Sequence, residues 1–330
     1  MNERAPIACL GAGRMARGLA VVFAYAGHGV TVVDCKPARG ATEFARVAGE
    51  VMAEVRTTLD TLASFGMFPP DAAAGIAARV TVLGQDDAQR GLRDAAVIFE
   101  GVPEVLDLKR EVLARVSSLA GPAPIIASTT STILVDDLAG EVAHPERFLN
   151  AHWLNPAFLM PLVELSPGAR TDGAVTARLK AMLEGIGKVP VVCAARPGFI
   201  VPRIQALAMN EAARLAEEGV ASPADIDKAI KYGFGIRYAV LGMLEFIDYG
   251  GGDILYYASR YLTQALGDPR YAAPPIIERN MHEGRIGLKA GKGFLDYADL
   301  DIGNYRRQRL KALADMLGFL GVTRPPVLPD

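Results

Sequence analysis

The chain has 330 residues, enough for one large domain or two ordinary ones, and its 51% hydrophobic and 22% charged residues are the balance of a soluble globular protein with a sizeable core. With 35 Lys and Arg against 37 Asp and Glu, the formal charge is −2, and nothing global points to nucleic acid or an anionic membrane as a partner. Three scattered cysteines, Cys9, Cys35 and Cys193, exclude a disulfide framework and a zinc site, and no run reaches the roughly 18 apolar residues of a membrane span. No metal is expected, and the expected location is the cytoplasm.

From Ile7 the sequence reads IACLGAGRMARGLAVVFAYAGHGVTVVDCK, which predicts a short buried strand, a glycine turn, a helix and a second strand. In a dinucleotide site Gly11 permits the tight turn and Gly13 lets the backbone approach a pyrophosphate. The helix that follows offers its first amides to the phosphates. Gly11, Ala12, Gly13, Arg14 and Met15 are therefore candidate cofactor residues, with Ala16 where a third glycine is common. Asp34 ends the second strand, where its carboxylate can accept from a ribose diol and repel a 2′-phosphate, so NAD is expected over NADP.

Residues 37–79 read as helical, with Val47, Val51, Val55, Leu59 and Leu62 at helical spacing. Strand-like VTVLG, AAVIFEGVP and IIASTTS then alternate with helical segments, the pattern of a doubly wound parallel sheet covered by helices. The carboxyl ends of these strands bring Gly11, Asp34, Gly101, Glu104 and Ser128 to the same crevice.

The stretch NAHWLNPAFLMPLVEL, 150–165, carries His152 before a tight turn and Glu164 inside an apolar strand. A carboxylate bounded by Leu162, Val163 and Leu165 is costly there unless it meets a partner. His152 is the obvious one, and a carboxylate–imidazole pair suits a general base working near neutral pH.

After PVVCAARPGF the strand pattern stops and long helical patterns begin. The expected organisation is a Rossmann-type α/β domain over 1–195 and an all-helical domain over 196–330, the latter apolar enough to form a homodimer. SPAD at 222–225 reads as a helix cap, and LKAGKGF at 288–294 places Lys289 and Lys292 in a turn.

The order GAGRMARG with Asp34, FEGVPEVLDLK, ASTTS, AHWLNP with PLVEL, RPGFIVPR and KAGKGF resembles the 3-hydroxyacyl-CoA dehydrogenase family over nearly the whole chain. That resemblance implies NAD-dependent oxidation of the secondary alcohol of a 3-hydroxyacyl-CoA or a related 3-hydroxy acid. It further implies His152 as catalytic base, Glu164 as its partner and Ser128 on the reacting oxygen, with Glu104, Lys109, Asn155 and Lys289 on the cofactor side.

Two features depart from the family pattern. Pro202 stands in PGFIVPR where the family has a substrate-facing asparagine. From Thr57 to Ala78 there is no lysine or arginine, although the acyl-CoA enzymes use lysines in this region against the CoA nucleotide. A smaller free acid, of the kind that L-gulonate, carnitine and pyridine-alcohol enzymes of this fold oxidise, is the alternative substrate class. A catalytically silent NAD-binding protein, as in lens crystallins of this type, is the alternative from outside enzymology. The 6-phosphogluconate and 3-hydroxyisobutyrate dehydrogenase group is disfavoured because the helix from Ile200 to Glu218 lacks a lysine.

Overall fold

The computed structural model describes residues 4–36 and 39–328. The chain divides into two compact units, Met1–Ala208 and Met209–Asp330.

Eight strands form the sheet of the first unit: β1 (Ile7–Leu10), β2 (Val30–Val33), β3 (Val80–Leu83), β4 (Val97–Glu100), β5 (Ile125–Ser128), β6 (Phe148–Trp153), β7 (Leu162–Pro167) and β8 (Val189–Val192). Their order is β3-β2-β1-β4-β5-β6-β7-β8, so the chain reverses its winding between β1 and β4. That reversal opens the crevice at the strand ends in which such sheets bind ligands. β1, β4 and β5 are buried along their whole length. Helices cover both faces, which is why these strands read as unbroken apolar runs rather than as alternating ones.

The sheet is parallel except at one place. β7 runs antiparallel to β6 and parallel to β8. The connection 154–161 is too short for a crossover, which takes about a dozen residues, so the chain has to turn back beside the strand it has just left.

Among the described residues seven α-helices flank this sheet: α1 (Arg14–Tyr25), α2 (Ala41–Ser64), α3 (Ala72–Ala77), α4 (Ala88–Arg93), α5 (Leu106–Ala120), α6 (Val135–Ala139) and α7 (Gly173–Gly185). α1 buries Ala16, Leu19, Ala20 and Phe23, and Phe23 packs with Phe99 and Trp153 in one aromatic cluster. This cluster anchors the end of β6, so the residue before Trp153 stands on a rigid base.

The division between the units falls inside α8 (Val201–Glu217). The second unit is all helical, with α9 (Pro223–Ala229), α10 (Ile236–Val240), α11 (Met243–Gly250), α12 (Gly252–Leu266), α13 (Pro275–His282) and α14 (Ile302–Phe319), and a π-helical turn over Ile230–Gly235. Ser222 caps α9 by accepting from the Asp225 amide at 3.2 Å. Within this unit buried Asp248 accepts from the amides of Phe294 and Leu295 at 2.9 and 2.8 Å and from the Tyr297 hydroxyl at 3.2 Å. Its carboxylate fixes the loop that carries Lys289, and burial beside that carboxylate pushes the Tyr297 phenol well above its ordinary value. No helix among the described residues is long and apolar enough to cross a membrane.

Candidate active site

β1 ends at the glycine turn. Gly11 has φ +91°, a conformation that disfavours side chains, and a Cβ there would lie 3.2 Å from the Gly101 carbonyl oxygen. Gly13 caps α1 without a side-chain hydrogen bond, no acid occupies the first helical turn, and nothing approaches within 4 Å of its missing Cβ. The first amides of α1 are thus open toward a cleft of about 800 Å³, lined by Gly11, Ala12, Gly13, Arg14, Asp34 and Gly101 among others. Met15 is turned toward the core and packs against it.

Asp34, 4% exposed, accepts from the Lys36 amide at 3.3 Å through Oδ1. Its Oδ2 is ion-paired with Arg39. A bare helix N-terminus for phosphates, a glycine cradle and a buried acid at the end of β2 together fit a dinucleotide whose ribose diol meets Asp34.

A second pocket of about 390 Å³ adjoins this cleft and shares Arg14 and Arg17 with it. Its other walls are Glu54, Val55 and Thr58 of α2 and the loop Asn155, Pro156, Ala157 and Phe158. Arg17 is already engaged: its Nε donates to the Ala12 carbonyl at 2.8 Å and it pairs with Glu54.

His152 and Glu164 are register partners across the β6–β7 ladder, which places both side chains on one face of the sheet. The His152 Nδ1 lies 2.7 Å from Glu164 Oε2, and both residues are buried. The other carboxylate oxygen, Oε1, accepts from the amides of Ile200 and Val201 at 2.9 and 2.8 Å, where α8 begins. Burial opposes the charge on Glu164, but the His152 hydrogen bond and the Val201 and Ile200 amides outweigh it and hold the carboxyl below the usual glutamate range. An ionised carboxylate can only accept, so Nδ1 carries the hydrogen. Phe199 stacks on the imidazole with centroids 5.7 Å apart. Pro202 lies in the first turn of α8, where its missing amide is needed by no helical hydrogen bond.

Ser128 stands on the strand adjacent to β6. It is fully buried at the end of β5, opposite Glu100 of β4 and Asn150 of β6, and its hydroxyl donates to Glu100 Oε2 at 2.5 Å. Lys109 donates to both Glu100 oxygens at 2.9 and 3.1 Å and to the Val102 carbonyl at 3.2 Å, and it lies 3.3 Å from Glu104. Glu104 Oε1 in turn accepts from the amides of Ser131 and Thr132, each at 3.1 Å, and from the Thr130 and Thr132 hydroxyls. Burial works against the Glu104 charge, and these hydroxyls together with Lys109 overcome it and lower its pKa. Glu104, Lys109 and Ser128 thus meet in one network about Glu100.

Sequence reasoning missed Glu100, although the reasoning that singled out Glu164 in PLVEL applies equally to the acid that ends the apolar strand VIFE. It also missed Phe199 and the two α8 amides, which carry no side-chain signal. Lys289 lies in the second unit, exposed on a single 3-10 turn. Among the described residues no group of three or more His, Cys, Asp and Glu side chains is placed to hold a metal ion.

The comparisons with known proteins converge with this geometry. Residues 6–196 match the NAD binding domain model of 3-hydroxyacyl-CoA dehydrogenase, and residues 198–297 match the model of its C-terminal domain. The chain belongs to the 3-hydroxyacyl-CoA dehydrogenase family. It is 32% identical to a 5-formyl-3-hydroxy-2-methylpyridine 4-carboxylate 5-dehydrogenase of Mesorhizobium japonicum, over 93% of this chain and 95% of that protein. A 3-hydroxybutyryl-CoA dehydrogenase of Bradyrhizobium diazoefficiens is 31% identical over 88% of this chain and 94% of its own length. Among solved structures, the 3-hydroxyacyl-CoA dehydrogenase of Archaeoglobus fulgidus is similar with a TM-score of 0.74 at 30% identity, over 97% of this chain and all of that one. As a member of this family the chain is an NAD-dependent dehydrogenase with a Rossmann-type fold, and its relatives act on CoA esters and on free acids alike.

Proposed function

We propose that this dehydrogenase oxidises the secondary alcohol of a free 3-hydroxy acid, with His152 as the general base. The observation that carries the chemistry is the 2.7 Å contact between His152 Nδ1 and a Glu164 carboxylate held ionised by two backbone amides. Nε2 of His152 takes the hydroxyl proton, and Glu164 stabilises the imidazolium that results. In the opposite direction the same imidazolium protonates the developing alkoxide. Gly11, Gly13 and the α1 amides would hold the phosphates of NAD and Asp34 a ribose, and the cofactor would supply the hydride acceptor for the carbon bearing that hydroxyl. Ser128, held by Glu100, shapes the crevice end beside β6.

The substrate class rests on charge. The phosphates of CoA are normally met by Arg, Lys or helix N-termini. Yet α3 and the last eight residues of α2 offer no basic side chain over 57–78, and Arg17 in the adjoining pocket is already paired with Glu54. The similarity to the pyridine 4-carboxylate dehydrogenase supports a free acid. A CoA ester remains the second reading, supported by the 3-hydroxybutyryl-CoA relative. NADH absorbance on mixing with NAD and matched pairs of 3-hydroxy acids and their CoA thioesters separates the two. Turnover of the acids is expected, and efficient turnover of (S)-3-hydroxybutyryl-CoA with silence toward every free acid overturns the substrate reading.

The same proposal places the functional boundary at 195/196, beside the changeover between the two family models. It assigns the helical part to a homodimer, for which the exposed Met209, Tyr257, Tyr261 and Phe319 argue. It assigns the protein to the cytoplasm, in keeping with three free cysteines.

A further inference from the structure

Lys188 is oddly placed for a lysine. It is half-buried just before β8, and its ammonium donates to the carbonyls of Ala157 and Met160 at 2.7 and 2.9 Å. It also lies 5.7 Å from the centre of the Trp153 ring, and among the described residues no carboxylate pairs with it. Placing a charge against carbonyls without a counter-ion has a desolvation cost, and burial accordingly lowers its pKa. The return for that cost is a fixed backbone.

Both carbonyls belong to the loop 154–161, which otherwise holds itself by a turn in which the amides of Leu159 and Met160 donate to the Pro156 carbonyl, each at 3.0 Å. The outer side of this loop, Asn155–Phe158, is one wall of the 390 Å³ pocket, and Ala157 packs against Gly18 of α1. That pocket shares Arg14 and Arg17 with the dinucleotide cleft and follows directly from His152 along the chain. Asp34 lines only the larger cleft and Arg14 lines both, so a dinucleotide with one ribose at Asp34 would have its other end on the Arg14 side.

We propose that Lys188 is a positioning residue for the nicotinamide end of the cofactor, holding the 154–161 loop through the Ala157 and Met160 carbonyls so that Asn155–Phe158 form a preset wall. Removing the ammonium frees the loop, and its ordering is then charged against binding. The inference rests on the NAD site described above and is independent of the substrate.

The test is calorimetric titration with NADH and with ADP-ribose, which shares everything but the nicotinamide. Lys188→Met is expected to raise the NADH Kd about tenfold, the scale of ordering one or two loop side chains, with the ADP-ribose Kd changed by less than about twofold. Lys188→Arg, which keeps two donors for the two carbonyls, is expected to recover most of the NADH affinity. Should the Met variant not fold, Lys188→Gln is read in the same way. Equal weakening of both ligands marks a general structural role and overturns the proposal, as does an unchanged NADH Kd. Failure of the wild type to bind NADH overturns the cofactor site itself, a separate result.

Discussion

Two buried carboxylates stand on the sheet, Glu100 at the carboxyl end of β4 and Glu164 within β7, and their partners set them apart. Glu100 meets the Lys109 ammonium, the Ser128 hydroxyl and the Val102 amide, so its carboxylate is answered inside the fold. Glu164 meets two amides and one imidazole, the ring proposed above as the general base. The first arrangement braces the crevice. The second supports the proposed base. The partners distinguish the two: an ammonium, a hydroxyl and an amide about Glu100, and an imidazole with two amides about Glu164.

The largest effect that tests this contrast belongs to His152. His152→Gln is expected to lower kcat by about 10²- to 10⁴-fold, the range for a positioned base, while the NADH Kd from calorimetry stays within about twofold. The brace answers differently: Lys109→Met leaves Glu100 buried without its cation and is expected to cost about 3–5 kcal/mol of stability in urea unfolding. Replacing Glu100 and Lys109 together by apolar residues of similar volume is expected to recover much of that loss, because a buried ion pair as a whole contributes little. Glu164→Gln, acting one step back from the chemistry, is expected to lower kcat by at least about 10²-fold.

The smallest effect is one of pH. The folded-state pKa of Glu164 lies below its ordinary value of 4.5, so its ionised form stabilises the fold above that value, and the contribution disappears as pH falls through the lowered one. The stability difference between wild type and Glu164→Gln is therefore expected to be flat above about pH 5.5 and to shrink toward acid in denaturant titrations at stepped pH. A difference that grows toward acid contradicts the ionised pair.

Much of the first unit was legible because its signals are local. Gly11, Gly13 and Asp34 follow one another within a single βαβ pass, and strands buried on both faces announce themselves as apolar runs. The His152–Glu164 pair was legible for a related reason: the turn between β6 and β7 is short, so the two residues meet in one ladder. The antiparallel sense of that ladder follows from the same short connection, although the sequence pattern alone reads as an all-parallel sheet.

The network about Glu100 was not legible. It depends on the register between β4 and β5, which sets Ser128 against Glu100 from 28 residues away, and on a lysine of α5 folding back under the sheet. Backbone donors left no trace either. The Ile200 and Val201 amides reach Glu164 only because α8 starts where it does, 36 residues on. Residue types in PGFIV give no hint of that contact, since its donors are amides common to every residue but proline.

The central claim is that His152 and Glu164 act as one unit, and the double variant tests it most directly. kcat is measured at saturating NAD for His152→Gln, Glu164→Gln and the two combined, on the substrate that the acid and thioester panel identifies. If Glu164 works only through the imidazole, the double variant loses no more than His152→Gln alone. Losses that multiply, with the double variant slower than His152→Gln by the full factor of Glu164→Gln, contradict the pairing.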